Sequence, residues 1–335
     1  MWIDSEWSTL GELEQIWAGL QPWLEEHGYM LRPRYRPGWF LAPGIGPNES
    51  ETAIPGEGTV LDAIRISDGA QVVLKMVETA SPETHISRFL TNEPAAQIYM
   101  IPLLDLIPFE LHDEFSFMVM PRMRGCHIPA FTTVAEVVEF LHQVLKGLVF
   151  LHSKNIAHRF NALQRYMHAK HRNGCIAHDP GGFHFNRPHA SADGRHLLRT
   201  YTGDDSAPHI IKSRTEAGPM KYYFIDFGLS VHFSSYWMRE RVTGDVGRLR
   251  RCIPEISETV PYDPFKVDVR LVGEMLRWQF LEDYDGLDFL IPIVRNLRKR
   301  LPARRPDARG ALALFLDLVS KTSAKEMAGQ AVIPL

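Results

Sequence analysis

Two stretches of the chain carry apolar residues at the three- and four-residue spacing of an amphipathic helix. The first covers residues 9–27 and the second covers residues 134–151. Residues three and four apart lie on one face of a helix, so each stretch would present an apolar stripe to a core. We therefore predict two helices, with stripes formed by Leu10, Leu13, Ile16, Trp17, Leu20, Trp23 and Leu24, and by Val134, Val137, Val138, Leu141, Val144, Leu145, Leu148 and Leu151.

The region between these helices is predicted to form strands. Residues 60–66 and 71–77 are two apolar runs around the turn Ser67-Asp68-Gly69, which is a hairpin signal. A second strand pair is predicted at residues 101–106 and 115–120. Residues 32–58 are rich in Pro, Gly and Arg, so we expect them to be mostly irregular.

The last part of the chain is predicted to be helical, after a polar interruption. Residues 169–217 contain Asp-Pro-Gly-Gly and many His, Arg and Asp residues, and we expect much of this segment to be mobile. Helical patterns follow at residues 266–281, 285–301 and 307–320. Strands followed by helices indicate an α+β fold.

Composition narrows the class of protein. The chain has 335 residues, of which 45% are hydrophobic and 23% charged, enough to bury one large core or two lobes. A net charge of -3 argues against a general affinity for nucleic acid. Three scattered cysteines argue against a disulfide framework, and no apolar run is long enough to span a bilayer. Asp4 and Glu6 interrupt any signal-peptide pattern, so we expect a soluble, intracellular, cytoplasmic protein with no membrane partner.

Two motifs that follow the predicted strands resemble protein kinases. The run from Phe150 to Arg159, FLHSKNIAHR, resembles the end of the long kinase helix and the start of the catalytic loop. Asp226-Phe227-Gly228 resembles the D-F-G motif and follows the apolar run YFI. The resemblance covers residues 55–320 and is strongest from residue 134 onward. The segments YFIDFG and PYDPFKVD are, more narrowly, similar to a fungal family of kinase-domain proteins.

The resemblance implies a bilobal protein kinase-like fold with a β-rich N-lobe and a helical C-lobe. The corresponding division is an N-terminal helix and irregular extension at 1–54, an N-lobe at 55–123, a C-lobe at 124–323 with the polar insertion at about 169–217, and a tail at 324–335. It also implies binding of ATP and Mg²⁺. Lys75, in VVLK, would pair with the ATP phosphates, Glu83 with Lys75, and Asp226 would hold the metal. The alternative for Glu83 is a carboxylate that favours the N-terminus of a helix.

Further positions follow from the same resemblance. Met120, Pro121 and Met123 would form the hinge beside adenine, with Met120 as gatekeeper, and Val73 belongs to the lysine strand. Gly58 and Val60 would end the Gly-rich loop, whose first two glycine positions hold Ala53 and Pro55. Because proline has no N–H to donate to a phosphate, this loop departs from the family, although Gly56 partly substitutes. Glu255 would occupy the A-P-E position, Asp268 would brace the catalytic loop, and Arg309 would pair with Glu255.

The catalytic loop itself departs from the family at both reactive positions. Phe160 stands where a kinase has the Asp that receives the substrate proton, and Arg165 stands where it has a metal-binding Asn. Neither side chain performs that chemistry. The leading prediction is therefore an impaired kinase, a pseudokinase that retains nucleotide-binding residues.

Three alternatives remain open from the sequence. In the first, the chain is an active Ser/Thr-type kinase whose loop is distorted by a frameshift. A back-translation of residues 168–175, read one nucleotide later, gives Met-Leu-Asn-Ile-Val-Met-Asp, which resembles the missing strand. In the second, the chain is a scaffold that binds no nucleotide. In the third, zinc binds to a set with metal-ligand spacing, although the sequence favours a mobile His-rich loop; this set is His168, His171, Cys175 and His178.

Overall fold

The apolar pattern before residue 122 builds a sheet and the helix that covers it. The computed structural model describes residues 10–39, 58–126, 130–159, 183–186, 220–244 and 253–329. Helix α1 (Glu12–Glu26) confirms the first predicted helix. The predicted hairpin is confirmed by β2 (Val60–Arg65) and β3 (Gln71–Glu78).

Three further strands complete an antiparallel sheet. They are β1 (Tyr29–Leu31), β4 (Asp105–Pro108) and β5 (Phe115–Pro121), and the strand order is β1-β2-β3-β5-β4. Strand β5 agrees with the prediction, whereas β4 begins four residues later than the predicted start at 101. Strand β1 was not predicted, because three residues carry too short a pattern and its pairing with β2 is long-range.

One face of the sheet packs against α1. Trp17 and Leu24 of the helix are buried together with Leu61, Leu74 and Phe117 of the sheet. Five members of the predicted stripe thus face a hydrophobic cluster, which also contains Tyr29, Leu31, Tyr35, Ala63, Val72, Ile107, Phe109 and Val119. The other two, Leu13 and Ile16, are about half exposed, so their assignment to the buried face was wrong.

A second cluster lies among the helices that follow the sheet. Helix α2 (Pro82–Thr91) packs against β3, and α3 (Val134–Ser153) confirms the second predicted helix. Thr133 begins α3 with a reciprocal cap, in which its hydroxyl accepts from the Glu136 N–H and the Glu136 side chain accepts from the backbone of Thr133. The buried side of α3 lies at the centre of this cluster.

The three later helices that were predicted occur near their expected positions, and the described residues contain one further short helix after them. Helix α4 (Pro264–Leu276) begins at the cap Asp263 and continues into a π-turn (Arg277–Leu281). Helix α5 (Ile291–Leu297) is shorter than predicted because residues 288–290 form a 3₁₀ turn before it. Helix α6 (Ala308–Lys321) is followed by a short α7 (Ala324–Met327), which packs on α3.

Small sheets connect these helices. A three-stranded sheet has the order β6-β8-β9 and consists of β6 (Arg124–Gly125), β8 (Phe183–Asn186) and β9 (Lys221–Phe224). A two-stranded sheet pairs β7 (Ile156–Ala157) with β10 (Val231–His232). Apart from β8, the predicted insertion at 169–217 lies outside the described residues. The fold is a mixed α+β arrangement, and none of the described helices is both long and apolar enough to cross a bilayer.

Candidate functional site

Lys75 lies on the face of the sheet opposite to α1. Residues directly opposite each other in antiparallel strands share a face. Lys75 pairs with Val60 on one side and with Met118 on the other, and Val73 pairs with Met120. The predicted positions Val60, Val73, Lys75 and Met120 therefore share one face. Met118, which also lies there, was missed by sequence reasoning, although it precedes Met120 by two residues and strand alternation puts both on one face.

The lysine ammonium group joins two distant segments of the chain. Its Nζ donates to Glu83 Oε1 at 2.7 Å and to Asp226 Oδ1 at 2.8 Å. Lys75 is mostly buried, with 17% of its side chain exposed, whereas the Asp226 side chain is 53% exposed. The three predicted residues thus form one charged cluster that opens to solvent on the Asp226 side.

Helix α2 brings Glu83 to the lysine. Ser81 caps the helix by accepting from the Thr84 N–H, and Pro82 occupies the first helical position, where its missing N–H costs no hydrogen bond. Glu83 therefore lies in the first turn, where a carboxylate is favoured by the helix dipole. The structure shows that the two interpretations of Glu83 are compatible, because the same carboxylate also binds Lys75.

Asp226 is held in an uncommon backbone conformation directly after β9. Its φ is +62°, a region that non-glycine residues seldom occupy and that is frequent at functional sites. Phe227 turns into the core, whereas Gly228 passes close to the carboxylates. A Cβ on Gly228 would lie 3.3 Å from both Asp226 Oδ1 and Glu83 Oε2. The local sequence thus fits a tight turn that directs Asp226 toward Lys75.

The electrostatics of the cluster follow from burial and from the three charges. Burial lowers the pKa of Lys75, but the carboxylates of Glu83 and Asp226 outweigh it and raise that pKa above its ordinary value. Burial raises the pKa of Glu83, and Lys75 offsets this only in part. Burial also opposes the charged form of Asp226, yet the charge and hydrogen bond of Lys75 outweigh it and lower the pKa of Asp226 below its usual value. Lys75 and Asp226 are therefore charged at neutral pH.

A second buried network fixes the chain just before residue 160. Asp268, on α4, is fully buried and accepts the backbone N–H of His158 at 2.8 Å and of Arg159 at 2.6 Å. His152 Nε2 lies 2.9 Å from the same carboxylate. The Arg159 guanidinium donates to the Tyr262 hydroxyl at 2.7 Å. Asp268 thus braces this segment, as the sequence predicted.

His158 links this network to the turn that carries Asp226. Its imidazole lies against the rings of Phe224 and Phe227, and its Nε2 is 3.1 Å from the carbonyl oxygen of Ile225. Burial lowers the pKa of His158, so the ring is neutral near pH 7. The Asp268 network therefore contacts the residues on either side of Asp226.

Arg305, rather than Arg309, is the partner of Glu255. The Arg305 guanidinium makes a two-pronged contact with the Glu255 carboxylate, with Nη2 donating to Oε2 at 2.9 Å. It also donates to the backbone carbonyls of Lys266 and Lys299. Arg309 is exposed on α6. The prediction of Arg309 was wrong, because α6 begins at Ala308 and directs that side chain to solvent.

The remaining predicted positions divide between described and undescribed parts of the chain. Pro121 ends β5, Met123 is buried just beyond it, and Gly58 precedes β2 with a φ of +77°. The other positions lie outside the described residues: Ala53, Pro55, Gly56, Phe160, Arg165, His168, His171, Cys175 and His178.

Within the described ranges, no group of three or more His, Cys, Asp or Glu side chains is arranged to hold a metal ion. Comparison with protein-family models finds no match, and comparison with curated proteins finds none either. Evidence for the function of the chain therefore comes from the geometry and from the sequence motifs.

Proposed function

We propose that the chain is a protein kinase-like protein of the fungal type that binds a magnesium nucleotide and is impaired in phosphotransfer. In this proposal the five-stranded sheet with α1 and α2 is the small lobe, and the helices from α3 onward form the large lobe. The nucleotide lies between them, on the face of the sheet that carries Lys75.

The observation that carries the proposal is the double ion pair of Lys75. A strand lysine, a helix glutamate and a loop aspartate meet at 2.7 and 2.8 Å, although 151 residues separate Lys75 from Asp226. This trio is the arrangement that kinases use to position phosphates and metal. The contacts of Asp268 with the backbone of His158 and Arg159 further support the proposal, because the resemblance gives Asp268 the role of bracing that segment.

The residues present fit a magnesium nucleotide. Mg²⁺ is usually held by one or two carboxylates together with substrate phosphates and waters, rather than by a cage of protein ligands. The half-exposed carboxylate of Asp226 suits that role, and Lys75 supplies a positive charge for phosphate oxygens. The metal, when bound, would neutralise phosphate charge. Val60, Val73 and Met120 offer an apolar surface to the base, and Pro121 and Met123 provide hinge backbone groups.

The same proposal predicts very weak catalysis. Phosphotransfer needs an aligned hydroxyl as well as bound phosphates. Phe160 has no group that accepts a proton, and Arg165 places a cation where a metal-binding Asn is expected. Loss of a general base alone costs about 10²- to 10⁴-fold in rate.

Nucleotide binding is tested by thermal unfolding with millimolar Mg–ATP. A ligand present at 100 times its Kd stabilises the folded state by about 2.7 kcal/mol. Lys75→Met and Asp226→Asn should abolish the shift. Lys321→Met removes an exposed lysine that pairs with Asp317 on α6, so it should keep the shift. If millimolar nucleotide gives no shift in the wild-type chain, the non-catalytic scaffold replaces this proposal.

The active kinase is the second candidate, and one observation favours it. The support of the catalytic loop by Asp268 is intact through Arg159, and the departure from the family starts abruptly at Phe160. Sequencing the transcript across residues 155–185 tests for the frameshift. A reframed protein with the Leu-Asn-Ile-Val-Met-Asp strand should gain activity that depends on Lys75 and Asp226. Robust phosphotransfer by the chain with Phe160 and Arg165 in place, lost in Lys75→Ala, would contradict the proposal that phosphotransfer is impaired.

A further inference from the structure

The segment that leads from α5 into α6 is strongly basic. Residues 295–309, RNLRKRLPARRPDAR, contain seven Arg and Lys residues and one acidic residue, and we call them the basic segment. The whole chain, by contrast, has 37 Lys and Arg residues against 40 Asp and Glu residues. Positive charge is therefore concentrated in this segment, on a chain whose net charge is -3.

Two of the seven cations pair with carboxylates of other segments. Arg305, whose side chain is fully buried, binds Glu255, and Arg298 Nε lies 2.9 Å from Glu274 Oε2. The other five are exposed: Arg295, Lys299, Arg300, Arg304 and Arg309. With the residues that the structure describes, none of these five side chains makes an ion pair or a hydrogen bond.

The single acidic residue of the basic segment does not neutralise these cations. Asp307 caps α6, and its Oδ1 accepts the N–H of Gly310 at 2.7 Å. Elsewhere on the described surface, cations do find partners, since Arg65, Arg277 and Lys321 each pair with a carboxylate. Like charges close together repel one another, so the five exposed cations lower the stability of the fold rather than raise it.

Arg305 fixes the backbone from which these side chains project. Its guanidinium donates to the backbone carbonyl oxygens of Lys299 at 2.7 Å and of Arg300 at 3.2 Å. Lys266 Nζ donates to the carbonyl oxygen of Arg305 at 2.8 Å, and Pro302–Arg304 form a 3₁₀ turn. The described contacts thus hold the loop between α5 and α6 in one shape before a partner binds, which reduces the entropic cost of binding.

The chemistry of the basic segment fits a short acidic partner that also carries an apolar group. Leu301 is 54% exposed and lies between Arg300 and Arg304 in sequence, so a partner that pairs with the cations would also cover an apolar side chain. A long nucleic acid or an anionic membrane would extend beyond the basic segment. Outside this segment acidic residues outnumber basic ones, which disfavours an extended polyanion.

We propose that the basic segment is a docking surface for an acidic peptide segment of a partner protein. Carboxylates of the partner pair with the exposed cations, and an apolar side chain of the partner contacts Leu301. Docking here is independent of nucleotide binding, because the residues of the candidate nucleotide site lie on other elements. The bound partner supplies the negative charge that this part of the surface lacks.

Fluorescence polarisation of a labelled acidic heptapeptide, EDELDEE, tests the proposal on the full-length chain, with the neutral QNQLNQQ for comparison. The test variant removes three exposed cations of the basic segment, through Lys299→Gln, Arg300→Gln and Arg304→Gln. The control variant removes three exposed cations from α2, β9 and the end of α6, so its net charge changes equally. Its substitutions are Arg88→Gln, Lys221→Gln and Lys321→Gln. Thermal unfolding shows whether both variants fold.

The wild-type chain should bind EDELDEE more tightly than QNQLNQQ. At about 0.15 M salt, where the Debye length is about 8 Å, the test variant should bind EDELDEE about tenfold or more weakly, as expected for three lost exposed ion pairs. The control variant should stay within about twofold of wild type, because its charges are screened from the peptide. Leu301→Ala should weaken binding about two- to fivefold through lost apolar contact.

Three outcomes would overturn the proposal. No binding of EDELDEE at about 20 mM salt, where screening is weak, would show that the basic segment is only a solvated surface. Equal losses in the test and control variants would show a general effect of net charge. Tighter binding of a single-stranded oligonucleotide, or of vesicles that contain phosphatidylserine, would assign the segment to another polyanion if the test variant abolished it. An unchanged affinity in Leu301→Ala would refute the apolar contact.

Discussion

Replacing Asp268 by Asn tests whether the buried carboxylate holds the segment before residue 160. Each carboxylate oxygen of Asp268 accepts one backbone hydrogen bond, from the N–H of His158 or of Arg159. A backbone N–H can only donate, so both positions require an acceptor. An asparagine has one acceptor oxygen and one amide group that only donates. Whichever way it is oriented, one backbone N–H faces another donor.

The expected loss in the free energy of unfolding follows from these contacts. A buried donor left without an acceptor costs about 1–3 kcal/mol. The hydrogen bonds that remain also become weaker, because their acceptor is a neutral amide and no longer a charged carboxylate. His152, 2.9 Å from Oδ2, is affected by the same change. Because Asp268 is fully buried, water does not replace the lost acceptor readily. We expect Asp268→Asn to lower the free energy of unfolding by about 2–4 kcal/mol.

Urea unfolding followed by tryptophan fluorescence measures this change. The control is Asp317→Asn, which alters a carboxylate that is 54% exposed and pairs with Lys321 on the surface of α6. Exposed pairs of this kind contribute about 0.5 kcal/mol or less. The amides of His158 and Arg159 should also exchange faster in Asp268→Asn. If the two variants unfold within about 0.5 kcal/mol of each other, the bracing role is refuted.

Two further predictions concern packing and charge. A Cβ on Gly147 of α3 would lie 2.6 Å from the buried ring of Phe224, so Gly147→Ala should destabilise the chain by about 1–3 kcal/mol. Gly19 lies in open space on α1, so Gly19→Ala should stabilise the chain by about 0.5–1 kcal/mol. Thermal unfolding of both variants tests whether the two changes in stability have opposite signs. The pKa of Asp226 is lower in the folded chain than in the unfolded chain, so ionised Asp226 stabilises the folded chain. This stabilisation is fully present above about pH 4 and is lost as the pH falls through the folded-state pKa. Urea midpoints at pH 5 and pH 3 should therefore differ less in Asp226→Asn than in wild type; an unchanged difference would contradict this assignment.

The prediction of the site from the sequence depended on motifs whose order along the chain is fixed. Lys75 follows an apolar strand pattern, and Asp226 follows another, so each was identified from its neighbours. Their distance apart could not be read in this way, because a pattern of neighbours carries no information on contacts across 151 residues. The same limit explains the error at Glu255. Arg305 and Arg309 are four residues apart, and the start of α6 at Ala308 decides which of them is buried.

Strand β1 and Trp17, near the start of the chain, also make long-range contacts that the local sequence pattern does not reveal. Three residues are too few to show a period, and β1 is defined by its pairing with β2. Sequence reasoning assigned Trp17 to the apolar stripe of α1, where it does lie, but the acceptor of its indole N–H belongs to a residue far along the chain. An apolar stripe identifies the buried face of a helix and not the polar groups that meet it.

The sequence by itself determined most of the local elements of this protein and the residue types of its candidate site. Helices α1 and α3 and the hairpin of β2 and β3 follow from spacing, caps and turn residues, which are local properties. Tertiary structure decided which residues meet: Lys75 with Glu83 and Asp226, Glu255 with Arg305, and Trp17 with Gly58. The physical reason is that these contacts form only after the sheet, α1 and the helices pack, so packing, rather than the neighbouring residues, selects each partner.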